Sequence, residues 1–189
     1  SRSRAISIND TIIDLPSVLP PAVAGVALLM AFGRRGLFGA WLADAGITLP
    51  FTQAAVIMAQ VFVASPYFVK AASIGFSGIR TELLEAAALD GASRWQTFWH
   101  ITLPLARMSM MTGGVMTWAR ALGEFGATII FAGNFPGRTQ TMPLAIYVGF
   151  EMDLSTALLL AFILICFAFL TLAAVKFILN RTADRGEQG

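Results

Sequence analysis

The chain has 189 residues, 57% of them hydrophobic and only 13% charged, with a mean hydropathy of +0.72 and a net charge of +2. A soluble domain carries about 25% charged residues, so this deficit, together with long apolar runs, excludes an ordinary soluble globule and points to a bilayer. The net charge is too small to argue for nucleic acid as a partner.

Residues 1–10, SRSRAISIND, carry neither an initiator methionine nor the apolar stretch of a signal peptide, and they read as a cut through a longer chain. The first apolar run is 12–32. It contains Pro16, Pro20 and Pro21, which predict a kinked or broken first half packed inside a bundle. Residues 33–50 read as a loop, with Trp41 suited to a membrane interface. The second run is 51–69, interrupted only by Gln53, Gln60 and Ser65-Pro66, with Pro66 near its end.

Residues 81–104 form a polar and amphipathic insert before the third run. The first part, TELLEAAALD, is rich in strong helix formers with acidic residues in its first turns. Gly91 falls where a C-terminal turn belongs, and Ser93 is a plausible N-cap for a second helix. Leu103-Pro104 then restarts the chain, with Pro104 in the first turn of the next helix.

The third run, 108–131, holds Gly113, Gly114, Gly123 and Gly126, small residues that let helices approach closely in lipid. It also holds Arg120 and Glu124, four residues apart and so on one helix face. A charged residue at mid-bilayer costs several kcal/mol on insertion scales, and pairing lessens that cost. Two readings stay open for RALGEFGAT, which also includes Thr128. The pair fixes helix packing, or it lines a translocation path. Residues 134–150 form a second loop whose apolar tail, 144–150, is too short to span. The fourth run is 154–179, followed by a polar tail.

These runs predict an all-α, polytopic transmembrane helix bundle in one domain over residues 1–189, with four spans at about 12–32, 51–69, 108–131 and 154–179. Catalytic chemistry is not indicated. The lysines, Lys70 in VKA and Lys176 in VKF, stand in no P-loop. With one histidine, His100, and one cysteine, Cys166, no His- or Cys-based metal site of the usual kind assembles. No cofactor is expected. Four spans do not obviously enclose a path, and the small residues of the third run suggest a close helix contact, so a homodimer with a path on its two-fold axis is expected.

The spacing E-A-A, three residues, Gly91, nine residues, I-x-L-P resembles the EAA loop of the membrane subunits of binding-protein-dependent ABC importers. Glu85, Ala86, Ala87, Gly91, Ile101, Leu103 and Pro104 stand at the family's positions. The resemblance implies that 81–104 is a cytoplasmic coupling helix that docks on a separate ATPase subunit, that an external binding protein delivers the substrate, and that further spans precede residue 1. LPPAVAG, GRRG and GEFGATI-FAGN resemble the branch for tetrahedral oxyanions, molybdate first, then tungstate and sulfate. With the EAA stretch inside, Lys70, Arg80, Arg94, Arg107, Lys176 and the arginines of both ends fall on the cytoplasmic side, against Arg34, Arg35 and Arg138 outside. Both termini of the chain are then cytoplasmic, and the protein sits in the cell membrane.

Such a path would offer weak polar sites, drawn from Ser17, Gln53, Gln60, Ser65, Thr112, Thr117 and Thr128, because a strongly held ion does not leave. An ion-coupled secondary transporter would instead show acidic residues at mid-span, where only Glu124 fits. A membrane enzyme would need a nucleophile–base pair or a metal cluster, which this sequence does not offer.

Overall fold

The computed structural model describes residues 15, 16 and 18–186, and every regular element among them is helical. Two helices, Gln53–Ser77 and the Leu154–Phe177 part of the last helix, are long and apolar enough to cross a membrane. The beginning of the first apolar run, with Ser17, lies outside the described residues, as do Arg2 and Arg4.

Helix α1 is Pro21–Phe32. Pro20 is extended at its N-cap and Pro21 occupies the first turn, so the proline pair interrupts the run where the sequence predicts a break. Residues 33–38 turn back tightly, and a short helix α2, Gly39–Asp44, stands in the segment read as loop. Thr52 then caps α3, Gln53–Ser77, its side chain accepting from Ala55 N–H.

Helix α3 runs well past the predicted end at residue 69. Pro66 has no N–H to give the Phe62 carbonyl, and an unsatisfied carbonyl is costly in lipid. The Ser65 hydroxyl donates to Phe62 O at 3.3 Å instead, and the helix continues through Lys70.

Helix α4 is Thr81–Leu89 and α5 is Arg94–Thr97. The next α-helix begins at Leu103 with Pro104 in its first turn, as the sequence predicts, but no break precedes it. A π turn at Phe98–Thr102 leads directly into α6, Leu103–Leu122, and Leu103 N–H bonds Phe98 O five residues back. Pro104 explains the widening. It cannot bond the His100 carbonyl, and its ring needs the room that a π turn makes.

Nor is the third apolar run one helix. Helix α6 ends at Leu122, residues 123–125 leave helical geometry, and α7 covers Gly126–Phe131. After a turn-rich loop come α8, Met142–Met152, and α9, Leu154–Gly186. The expectation that 144–150 is too short to span agrees with α8, whose 11 residues reach only about 16 Å.

Packing rests on small residues. Helix α3 lies along α6, where a Cβ on Gly75 would stand 2.6 Å from Ser109 Cβ and one on Gly113 would stand 2.7 Å from Ala71 Cβ. Helix α1 lies on α7 through Gly25 and Gly126, where an added Cβ would come within 2.9 Å of backbone on the facing helix. The buried core around them is Ala24, Leu28, Ala55, Ala59, Val63, Ala127, Phe131 and Ala132. Close backbone approach is how helices associate where lipid removes the hydrophobic drive between them. Helix α9 sits at the edge on α8, with Phe162, Ile165, Phe169 and Leu170 exposed.

Candidate functional site

Two regions carry the residues singled out in the sequence. The first is the segment between α3 and α6. Helix α4 closes with a complete glycine turn. Gly91 stands at φ +81°, its N–H bonds Ala88 O, and Ala92 N–H bonds Ala87 O. This is the Schellman arrangement, which satisfies the last carbonyls of the helix and favours glycine at the left-handed position. Ser93 caps α5 in a reciprocal box with Gln96, each side chain bonding the other residue's backbone N–H.

The turn folds α4 and α5 into a corner with an open groove of about 360 Å³, lined by Asp90, Gly91, Gln96, Thr97, His100 and Ile101. His100 Nδ1 lies 3.0 Å from Gln96 O. Glu85, Ala86 and Pro104 are exposed, Ala87 is buried, and Ile101 and Leu103 are half-buried. Of the motif residues, Gly91 and Ile101 therefore share one concave surface, Glu85 and Ala86 stand on the outer face of α4, and Ala87 anchors that helix.

The sequence reading missed the aromatic cluster beside this corner. Trp95 and Phe98 stack with ring centroids 6.2 Å apart, Trp99 stands edge-on to both, and Phe98 reaches Phe76 at the end of α3. Their spacing, i, i+3 and i+4, is the signal that would have found them. Leu89, at 89% exposed, lies uncovered at the end of α4.

The second region is the interruption between α6 and α7. Glu124 is 1% exposed and holds two partners. Its Oε2 accepts from Arg120 Nη1 at 2.8 Å, and its Oε1 accepts from Ala127 N–H at 2.8 Å, in the first turn of α7. The carboxylate thus answers a guanidinium and caps a helix N-terminus at once. Gln60 on α3 donates to the Ala121 carbonyl at 3.3 Å, and Thr128 donates to Phe125 O at 2.8 Å. Each supplies a carbonyl near the break with a donor, as irregular backbone in a bilayer requires. Gly126 makes the close contact with α1, while a Cβ on Gly123 would meet nothing within 4 Å. Arg120, Glu124 and Thr128 therefore cluster at one point, and Gln60, read from the sequence as a transit residue, joins them from α3.

The profile of the binding-protein-dependent transport system inner membrane component matches residues 3–184. The chain belongs to that family. That family supplies the membrane component of a transport system.

This inner membrane component is 42% identical over 176 residues to the probable transport system permease protein NifC of Clostridium pasteurianum, covering 93% of this chain and 62% of that protein. It is 42% identical over 175 residues to the molybdenum transport system permease protein ModB of Mycobacterium tuberculosis, covering 93% of this chain and 66% of that protein. The chain thus spans a little under two thirds of the length of these relatives. A solved structure of the methionine ABC transporter MetNI in an inward-facing conformation superposes with a TM-score of 0.67 at 18% identity, over 91% of this chain and 73% of that one. The fold is shared.

Proposed function

We propose that this inner membrane component is the permease subunit of an ABC importer that carries a tetrahedral oxyanion, molybdate before tungstate or sulfate, driven by an ATPase on another chain. The observation that carries the reading is the corner at 81–101. It is a short helix, a left-handed glycine turn and a capped second helix, held at the end of a membrane-length helix with Glu85, Ala86 and Leu89 turned outward. Such a corner is rigid where it is made and open where a partner would sit. We assign it the role of coupling helix, docked on the ATPase subunit and facing the cytoplasm, with both chain ends on that side. The molybdenum permease among the relatives supports the substrate class.

An external binding protein would deliver the anion. A second copy of the chain would complete the path on a two-fold axis, since large apolar side chains such as Val26, Ile57, Val61, Met116 and Phe162 stand exposed on several of the described helices. Arg120, Glu124, Gly126 and Thr128 act here as bundle-interior residues that hold the discontinuous helix, whereas Gly123, expected among them, is exposed with open space at its Cβ. The test is reconstitution of the full-length subunit with its ATPase and binding protein in proteoliposomes. ATP-dependent uptake of molybdate is expected, and loss of ATPase copurification when Gly91 is replaced by a bulky residue. Uptake independent of ATP would overturn the reading.

A further inference from the structure

We propose that the cleft between the 33–52 segment and the 133–138 loop is a receiving site for a free tetrahedral oxyanion at the entrance of the path. Arg34 and Arg138, far apart in sequence, line one cavity of about 540 Å³ together with Thr48, Phe51 and Thr52. A neighbouring cavity of about 450 Å³ shares Arg34, Thr48 and Pro50 with it, so the two form one continuous cleft. No aspartate or glutamate lines either.

A third positive element is the N-terminus of α3, whose cap, Thr52, lines the same cavity. The Thr52 hydroxyl is engaged with Ala55 N–H and Leu49 O, which leaves Thr48, exposed and on both cavities, as the free hydroxyl at the site. The cleft is therefore two guanidiniums, a helix N-terminus and a hydroxyl, which is the donor set of a tetrahedral dianion.

The mounts of both arginines are fixed. Arg34 stands in the tight turn tied by Gly36 N–H to Gly33 O, Leu37 N–H to Met30 O and Phe38 N–H to Ala31 O. Arg138 stands in a turn tied by its own N–H to Phe135 O and by Phe135 N–H to the Thr139 hydroxyl. Between them Phe51 adopts φ +62°, a left-handed conformation rare for an aromatic residue. It is held there by a bond from its N–H to Phe131 O and by an edge-on contact with Phe135. Strain of this kind persists where the surroundings over-determine it, and it gathers at binding sites.

Affinity at such a site is low. Both arginines are exposed, and charges in water act only within about 8 Å at physiological salt. That suits a relay, because an anion held weakly is an anion that moves on. Position agrees. Helix α3 has the cleft at its first residue and the 81–101 corner at its last, about 37 Å apart along 25 residues. The inference rests on the oxyanion-importer reading, in which the corner is cytoplasmic and the cleft is external.

The test places an Ile47→Cys label, on the wall of the cleft and outside its donor set, in a Cys166→Ala background of the intact permease–ATPase complex in nanodiscs. An anionic methanethiosulfonate should label it about tenfold faster than a cationic one, relative to their rates on a free thiol. Millimolar molybdate or sulfate should slow a neutral reagent beyond a chloride control of matched ionic strength. Arg34→Gln/Arg138→Gln should remove both effects. No slowing beyond chloride, or slowing that survives the double variant, would overturn the site. So would loss of binding-protein affinity in the double variant without any anion protection, since the arginines would then serve a carboxylate of that protein. Uptake measured in parallel separates the two claims. Protection without ATP-driven uptake supports the cleft and counts against the importer reading; uptake without protection overturns the cleft alone.

Discussion

The interruption at residues 123–125 and the corner at 81–101 are both departures from a plain membrane helix, and they differ in where their polar groups look for partners. At the interruption the carboxylate of Glu124 and the carbonyls of Ala121 and Phe125 are answered from within the chain, by Arg120, Ala127 N–H, Gln60 and Thr128. At the corner the backbone is satisfied, by the Gly91 turn and the Ser93 box, while Glu85, Leu89 and Trp95 face outward uncovered. A polar motif that is saturated internally serves the architecture. One that is rigid in backbone and open in side chains is built for a partner.

The largest effect is expected where the saturation is removed. Glu124 answers two groups, so exchanging both charged residues for leucine does not restore the wild type. It removes the ion pair but strands Ala127 N–H, at about 1–3 kcal/mol. Glu124→Leu alone, which leaves Arg120 uncompensated as well, should cost about 3–5 kcal/mol. Arg120→Leu/Glu124→Gln should be the mildest of the set, because a glutamine oxygen still accepts from Ala127. Thermal unfolding in detergent checks the order. Equal stability of the Leu/Leu and Leu/Gln pairs would show that the cap on α7 carries no weight.

At the corner the expected losses lie in assembly. Gly91 has open space around its missing Cβ, so Gly91→Ala meets no clash and costs only the left-handed backbone, about 1–2 kcal/mol. Gly91→Asn should recover part of that, since asparagine tolerates the conformation. If the corner docks the ATPase, copurification should fall with Gly91→Ala and return in part with Gly91→Asn. Leu89→Ala should leave the melting temperature unchanged, Trp95→Ala should lower it slightly through its lost contacts with Phe98 and Trp99, and each should weaken ATPase binding by about tenfold, the scale of one interface anchor at about 1.4 kcal/mol. Unchanged ATPase binding in both would move the docking surface elsewhere.

These regions were not equally legible. The corner could be read because its signals are local. Helix formers, a glycine and a serine specify it within a dozen positions, and the structure has α4, the turn and the capped α5 where they predict them. The interruption was hidden because hydropathy counts residues and not hydrogen bonds. Residues 108–131 read as one apolar run, while the bond that defines the break, Glu124 to Ala127 N–H, leaves no trace in composition. The end of α3 was misplaced for a related reason. Pro66 reads as a stop, and only the Ser65 hydroxyl on Phe62 O shows why it is not one. Ser65→Ala should cost about 1 kcal/mol by freeing that carbonyl, a loss that Ser65→Thr should largely recover.

The smallest expected effect lies at Asp153, the exposed residue between α8 and α9. Its carboxylate accepts from the Thr156 hydroxyl and from Ser155 N–H, and these bonds, the Thr156 one first, hold its pKa below the ordinary 3.8. The sign follows. A carboxylate depressed in the folded state adds stability that is complete above the unfolded value and is lost as the pH falls through the folded one. Asp153→Asn keeps an acceptor oxygen at the start of α9 and removes the charge alone. The wild type should therefore unfold at a slightly higher temperature than Asp153→Asn near neutral pH, and the gap should close as the pH falls below 3.8. High salt should narrow the gap as well, since the site is open to water. A gap that stayed constant through acid would show that Asp153 acts through shape and not through charge, leaving the first turn of α9 to be set by its hydrogen bonds alone.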